Sequence, residues 1–296
     1  MQQPVTKVDC ILVVGAGTMG AGIAQVFAAH GFQVTLVDVS TKALERARGR
    51  IEQSLARMAR EGAVNEGEKS AALRRIALET NCSKAERADF AVEAVVEDLE
   101  VKQKVLIDLD RLLRPGVVLA SNTSSISITR LGAATKRAEL VIGMHFMNPV
   151  PVMELVEVIR GHATSEEAHA LTLDLARKLG KTPVSVSDYP GFVANRILMP
   201  LINEAIFALM EGVASKEDID LVFRLGMHHP MGPLTLADFI GLDICLGVLE
   251  VLHRGLGDHK YRPCPLLRRM VDAGDLGRKT GRGFFDYPEQ KAWTSS

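Results

Sequence analysis

Gly15-Ala16-Gly17-Thr18-Met19-Gly20 constrains this chain more than any other stretch, because of what flanks it. Val8–Val14 is a short apolar run that reads as a buried strand, and Ala21–His30 has helical composition. The glycines therefore sit at a strand-to-helix turn, the start of a β-α-β unit. Gly15 permits the tight turn, Gly17 removes a side chain so that backbone can approach a pyrophosphate, and Gly20 lets helix and strand pack closely. Thr18 and Met19 fall at the helix start, where unpaired N–H groups would meet the phosphates. A second strand, Gln33–Val37, ends in Asp38, eighteen positions beyond Gly20 and near the spacing expected of the acid that binds both adenosine ribose hydroxyls. A 2′-phosphate beside Asp38 would meet like charge, and no Arg follows in Val39-Ser40-Thr41, so the pattern predicts NAD rather than NADP.

The rest of the first half alternates strand-like and helix-like segments, which predicts an α/β fold with a Rossmann-type doubly wound parallel sheet. After Asp38 the pattern gives helices over Thr41–Glu61, Glu66–Arg75 and Leu99–Leu113. Strands are expected over Ile76–Glu79, Phe90–Val96, Val117–Ser121, Leu140–Phe146 and Leu155–Ile159. The alternation ends after Thr182–Val186, and Asp188-Tyr189-Pro190-Gly191 is the expected junction between domains 1–188 and 189–296. Helices are expected beyond it over Phe192–Glu211, Lys216–Leu225 and Leu234–Leu252. That all-helical domain carries many apolar positions for its size, so a second subunit is expected to cover part of its surface.

The 296 residues carry 35 Lys and Arg against 36 Asp and Glu, a formal net charge of -1 that gives no electrostatic reason to bind nucleic acid or an anionic membrane. Cys10, Cys82, Cys245 and Cys264 lack CxxC spacing, which predicts reduced thiols, no zinc site and an intracellular setting. Met1–Lys7 leaves no room for a presequence, and no segment has the apolar length of a membrane span, so a cytoplasmic location is expected.

A dehydrogenase needs a proton acceptor beside the carbon that loses hydride. His145, near the carboxyl end of a predicted strand, lies at the sheet edge where ligands collect, and imidazole can take a hydroxyl proton and return it. Met147–Val152 reads as a turn. If the reversal centres near Pro151, Glu157 on the next strand falls opposite His145, where a carboxylate fixes the tautomer and stabilises the imidazolium. Glu154 has the opposite parity and is read as surface. Ser121-Asn122-Thr123-Ser124-Ser125 follows another strand end; its hydroxyls would either meet a substrate oxygen or cap the helix near Ser127. Asn195, at the start of the second domain, is suited either to holding a carbonyl or to interdomain hydrogen bonding.

Seven segments, GAGTMGAGIAQ at 15–25, VEAVVEDLEVK at 92–102, SNTSS at 121–125, GMHFMNPVPVMELVEVI at 143–159, PGFVANRIL at 190–198, SKEDIDLVFRLGMHHPMGP at 215–233 and GRKTGRGFFDY at 277–287, together closely resemble the 3-hydroxyacyl-CoA dehydrogenase family, in particular its short bacterial 3-hydroxybutyryl-CoA type. The resemblance implies NAD-dependent oxidation of an (S)-3-hydroxyacyl-CoA, with His145 as base, Glu157 orienting it, Ser124 on the reacting oxygen and Asn195 holding the substrate. It also implies further NAD contacts from Glu97, Lys102 and Asn148, and a dimer formed through the helical domain. In relatives a Ser and a Lys of the long helical hairpin contact CoA. Ser54 matches the first, but the lysine position falls at Glu61, with Arg57 or Arg60 as substitutes. Competing substrates on the same scaffold are 3-hydroxyadipyl-CoA and a free hydroxy acid such as L-gulonate; the competitor of another class is a catalytically silent NAD-binding protein.

Overall fold

A computed structural model describes residues 7–287; the expectation for Met1–Thr6 lies outside the described residues. The chain divides into two compact units, the first ending at Tyr189 and the second beginning at Pro190.

In the first unit the order is β1 (Cys10–Val14), α1 (Thr18–Ala29), β2 (Gln33–Val37), α2 (Thr41–Arg60), α3 (Glu66–Arg74), β3 (Ile76–Glu79), β4 (Phe90–Glu93), α4 (Leu99–Leu112), β5 (Val118–Ser121), α5 (Ile128–Gly132), β6 (Val141–Phe146), β7 (Leu155–Arg160), α6 (Glu166–Lys178) and β8 (Thr182–Ser187). One eight-stranded sheet results, in the order β3-β2-β1-β4-β5-β6-β7-β8. Strand order reverses beside β1, as in a doubly wound sheet. Ile11–Val14 and all of β4, β5 and β6 are buried, as expected of strands covered on both faces.

The sheet is not parallel throughout. β6 and β7 pair antiparallel, and β8 then runs parallel to β7. A turn over 147–154 joins β6 to β7 where a crossover helix would be needed to keep the direction. Two strands are also shorter than expected by more than one residue. The Asp89 carboxylate accepts from Asp9 N and Cys10 N, so β1 starts at Cys10 rather than Val8. β4 stops at Glu93 because its own carboxylate accepts from Val95 N at 2.7 Å and turns the chain.

The helices follow their local signals. α2 buries Leu44, Ala47, Ile51 and Leu55, a stripe at helical spacing, and Ser40 caps it by accepting from Ala43 N. Asn65 and Glu68 form a reciprocal capping box on α3, and Asp98 caps α4. α1 differs: its N-cap is Gly17, with no side-chain cap and no acidic residue in the first turn.

The second unit consists of α7 (Ala194–Met210), α8 (Lys216–Gly226), α9 (Pro233–Ile240), α10 (Leu242–Leu256) and α11 (Pro265–Asp272) around a core that includes Met199, Ile202, Leu234, Leu242 and Leu249. The single helix expected over Leu234–Leu252 is two helices. Gly241, at φ +107°, cannot continue α9, and the break turns the chain into α10. α11 adds a helix that the apolar pattern did not reveal. Among the described residues no helix is long and apolar enough to cross a membrane.

Candidate functional site

The glycine turn has the shape a dinucleotide requires. At Gly15, φ +105°, an added Cβ would lie 2.5 Å from Ala94 O, and at Gly20 it would lie 1.7 Å from Gly15 O. A Cβ at Gly17 would meet nothing within 4 Å. Gly15 and Gly20 thus serve close packing, and Gly17 leaves open space at the start of α1. The uncapped first-turn N–H groups there, with Thr18 exposed and Met19 half-buried, form a cradle for a phosphate diester. Asp38, at the end of β2, accepts from Ala16 N at 2.8 Å and from Ser40 N at 2.9 Å. Its carboxylate therefore stands against the glycine turn, where an acceptor for ribose hydroxyls is needed. These residues fit NAD, with Asp38 opposing a 2′-phosphate.

The antiparallel pairing of β6 and β7 sets Gly143 opposite Ile159 and His145 opposite Glu157. His145 Nδ1 donates to Glu157 Oε2 at 2.9 Å. His145 is 8% exposed and Glu157 2%, so the pair is shielded from water and the contact is correspondingly strong. An ionised carboxylate can only accept, which places the proton on Nδ1 and leaves Nε2 as the basic nitrogen. A Cβ at Gly143 would come within 2.8 Å of Ile159 Cβ, so glycine there permits the close approach of the two strands. Glu154 is exposed. The intervening turn is fastened from behind by Lys181, whose buried ammonium donates to Val150 O at 2.7 Å and Met153 O at 2.8 Å. Burial pushes the Lys181 amine below its ordinary value.

Ser124 belongs to a loop organised by Glu97. Glu97 Oε1 accepts from Thr123 Oγ1 at 2.6 Å, Ser124 N at 2.8 Å, and Ser124 Oγ, Ser125 N and Ser125 Oγ at 3.1 Å each. Burial works to raise the Glu97 carboxyl, but the Lys102 charge and the Thr123 and Ser124 donors outweigh it and hold it below the usual glutamate value. The helix cap falls to Ser127, which accepts from Arg130 N, and Ser124 is not used for it. Asn122 Oδ1 accepts from Phe146 N at 2.9 Å and ties this loop to the end of the His145 strand. Lys102, implied by the resemblance as an NAD contact, is 1% exposed and paired with Glu93 at 2.7 Å. Its ammonium is enclosed by protein.

Ser54 on α2 accepts from Gln25 Nε2 at 3.0 Å and faces a recess of about 120 Å³ lined also by Thr18, Gly22, Arg50, Asn148 and Pro151. Asn148 is exposed at its rim. Helical geometry puts Arg57 about 60° round α2 from Ser54 and Arg60 about 120°, so Arg57 lies nearer the Ser54 face than Arg60 does, while the α2 residues that line the recess are Arg50, Ile51 and Ser54. Arg50, one turn before Ser54 on that side, was missed from sequence; its Nη1 donates to Thr18 Oγ1 at 3.4 Å. Its i−4 spacing from Ser54 was the available signal. Glu93, Asn122 and Lys181 were likewise missed, and a charged residue closing an apolar strand was the signal for Glu93. Asn195 lies half-buried in the first turn of α7, in the second unit.

Two family models match the chain: 3-hydroxyacyl-CoA dehydrogenase, NAD binding domain, over residues 10–189, and 3-hydroxyacyl-CoA dehydrogenase, C-terminal domain, over 191–287. A relative from Bacillus subtilis (strain 168), named probable 3-hydroxybutyryl-CoA dehydrogenase, is 56% identical over 96% of this chain and 99% of its own. A 3-hydroxybutyryl-CoA dehydrogenase of Bradyrhizobium diazoefficiens is 53% identical over 93% of this chain and 94% of its own. The crystal structure of (S)-3-hydroxybutyryl-CoA dehydrogenase PaaH1 from Ralstonia eutropha superposes with a TM-score of 0.93 at 49% identity, covering 95% of this chain and 99% of that one.

Proposed function

We infer, for a chain that belongs to the 3-hydroxyacyl-CoA dehydrogenase family, an NAD-dependent enzyme that interconverts an (S)-3-hydroxyacyl-CoA and the 3-oxoacyl-CoA, with 3-hydroxybutyryl-CoA as substrate. The observation that carries the chemistry is the buried His145–Glu157 pair at the edge of a dinucleotide-binding sheet. The 53–56% identical relatives named for 3-hydroxybutyryl-CoA support the substrate.

Gly15, Gly17, Thr18, Met19 and Gly20 would hold the NAD pyrophosphate and Asp38 its adenosine ribose, with Glu97 and Asn148 nearer the reacting end. NAD, when bound, supplies the acceptor for the hydride that leaves C3. His145 Nε2 takes the C3 hydroxyl proton as the C–O bond becomes C=O, and returns it in the reverse direction. Glu157 stabilises the imidazolium that this creates. Ser124 Oγ donates to the substrate oxygen, and Asn195 is assigned by family resemblance to hold the substrate. Ser54 and Arg57 hold the CoA portion, with Arg50 as a further cation on the same face; Arg60 lies farther round α2.

Leu221, Val222 and Leu225 on α8 and Phe239 on α9 are exposed, an apolar patch that supports a homodimer formed through the helical unit. A cytoplasmic location accords with the bacterial relatives. The test is loss of NADH absorbance on mixing with acetoacetyl-CoA, with NADPH and free acetoacetate as controls. NADH-specific turnover of the CoA ester is expected. Turnover of the free acid alone would assign a hydroxy-acid substrate instead, and NADH binding without turnover of either would refute the reaction.

A further inference from the structure

Lys102 is an expensive residue in its position. It is 1% exposed and Glu93 beside it is 0% exposed, and burying a charge costs free energy unless its partners are complete. Here they are present. The Lys102 ammonium donates to Glu93 Oε1 at 2.7 Å and Val95 O at 3.3 Å, and forms an ion pair with Glu97 Oε2 at 3.4 Å. Glu93 Oε1 also accepts from Val95 N at 2.7 Å, and its Oε2 from Ser121 Oγ at 2.6 Å. α4 does not need the pair in order to form, since Asp98 caps it and Leu106 and Leu109 bury its apolar side.

What the pair does hold is Glu97. Lys102 takes one Glu97 oxygen, and the other collects the donors of residues 123–125. A carboxylate oxygen sustains about two strong hydrogen bonds, and here the shortest are from Thr123 Oγ1 and Ser124 N. The Ser124 hydroxyl, at 3.1 Å, is held more weakly than its own backbone N–H. It can turn its proton to a substrate oxygen while the loop stays fixed.

We propose that Glu93 and Lys102 are positioning residues of the active site, fixing Glu97 and through it the Ser124 loop. The proposal rests on the reading of Ser124 as the contact to the reacting oxygen. The charged groups around Glu97 are Lys102 on α4 and, behind it, Glu93 on β4; the loop brings neutral donors alone. Removing Lys102 takes away the largest influence opposing burial of Glu97 and leaves the Thr123 and Ser124 donors, so its carboxyl takes up a proton at a higher pH and its hold on the loop weakens.

The test compares Lys102→Met with wild type by NADH fluorescence titration, steady-state kinetics with acetoacetyl-CoA from pH 5 to 9, and thermal melting. The expected result is an NADH Kd within about threefold of wild type, a kcat at saturating NADH lower by roughly ten- to hundredfold, and an acid limb of kcat/KM displaced to higher pH. A tenfold weaker NADH Kd with kcat retained would overturn the proposal, because it is the signature of a direct cofactor contact. Should Lys102→Met not fold, Glu93→Gln decides: it keeps the side-chain volume and an acceptor for Lys102, and is expected to retain the NADH Kd, lower kcat by a smaller factor and displace the acid limb to lower pH, because a negative charge behind Lys102 is removed. A lowered melting temperature with kcat and pH profile unchanged in Glu93→Gln would reduce the pair to a structural one. Wild-type turnover, measured first, separates failure of this proposal from failure of the assigned reaction.

Discussion

Glu157→Gln isolates the charge of the catalytic pair from its shape. Glutamine fills the same volume and can still accept from Nδ1 of His145, so what is lost is the negative charge that faces the imidazolium. Charge centres about 4 Å apart in a protein interior of effective dielectric near 20 interact by about 4 kcal/mol. The neutral hydrogen bond that remains recovers on the order of 1 kcal/mol. The net loss, about 3 kcal/mol, falls on the transition state because the imidazolium exists fully only after proton transfer. At about 1.4 kcal/mol per tenfold, kcat should drop by roughly a hundredfold. The assay is oxidation of (S)-3-hydroxybutyryl-CoA at saturating NAD, the direction in which His145 accepts the proton, with an NADH titration and a melting curve to establish that cofactor affinity and folding are retained. Glu154→Gln, exposed and of opposite parity, is the matched control and should stay within about twofold. A Glu157→Gln enzyme within threefold of wild type, or one whose loss lies wholly in NADH affinity, would refute the argument that a buried carboxylate supports the base.

Other substitutions test the remaining parts of the site. Gly20→Ala puts a Cβ 1.7 Å from Gly15 O and should cost about 1–3 kcal/mol of stability together with NADH affinity. Gly17→Ala, with open space around it, should melt like wild type yet bind NADH more weakly, and the reverse pattern would show that the two glycines have been misassigned. Arg50→Ala and Arg57→Ala should each raise KM for acetoacetyl-CoA by about three- to tenfold, the loss of one charge-assisted contact, with Arg60→Ala unchanged; equal effects from all three would mean a general field rather than a site. Burial works to raise the Asp89 carboxyl, but the N–H groups of Asp9 and Cys10 and the Arg114 charge hold it below 3.8. A depressed acid contributes stability above its unfolded value and loses it as pH falls through the folded one. Asp89→Asn should therefore be less stable than wild type in urea at pH 7 by on the order of 1–3 kcal/mol, with the gap closing as pH falls below the ordinary aspartate value and through the lower folded one; a gap that does not change with pH would contradict this account.

Local chemistry made most of the first unit legible. A glycine spacing, an apolar run and an acid at a strand end each fix a conformation over a few residues, and the doubly wound order beside β1 follows from them. The His145–Glu157 register was legible for a similar reason: a proline-rich reversal centred on residue 151 determines by counting which residues face each other. The antiparallel direction of β7 follows from that same turn, and β8, parallel to β7, inherits it. Gly241 is the opposite case, since a glycine within an apolar helical pattern gives no sign of φ until the chain is folded. Lys102 shows why site residues are harder than fold. From sequence it is a cation on an amphipathic helix, and such residues are solvated far more often than not. What encloses it is contributed by β4, by the loop after it and by the end of β5, which are adjacent only once the sheet has formed. Residues that meet a ligand through a short motif can thus be read along the chain. Those that hold such residues in place are assembled by topology, and the buried charges in this site belong to that second kind.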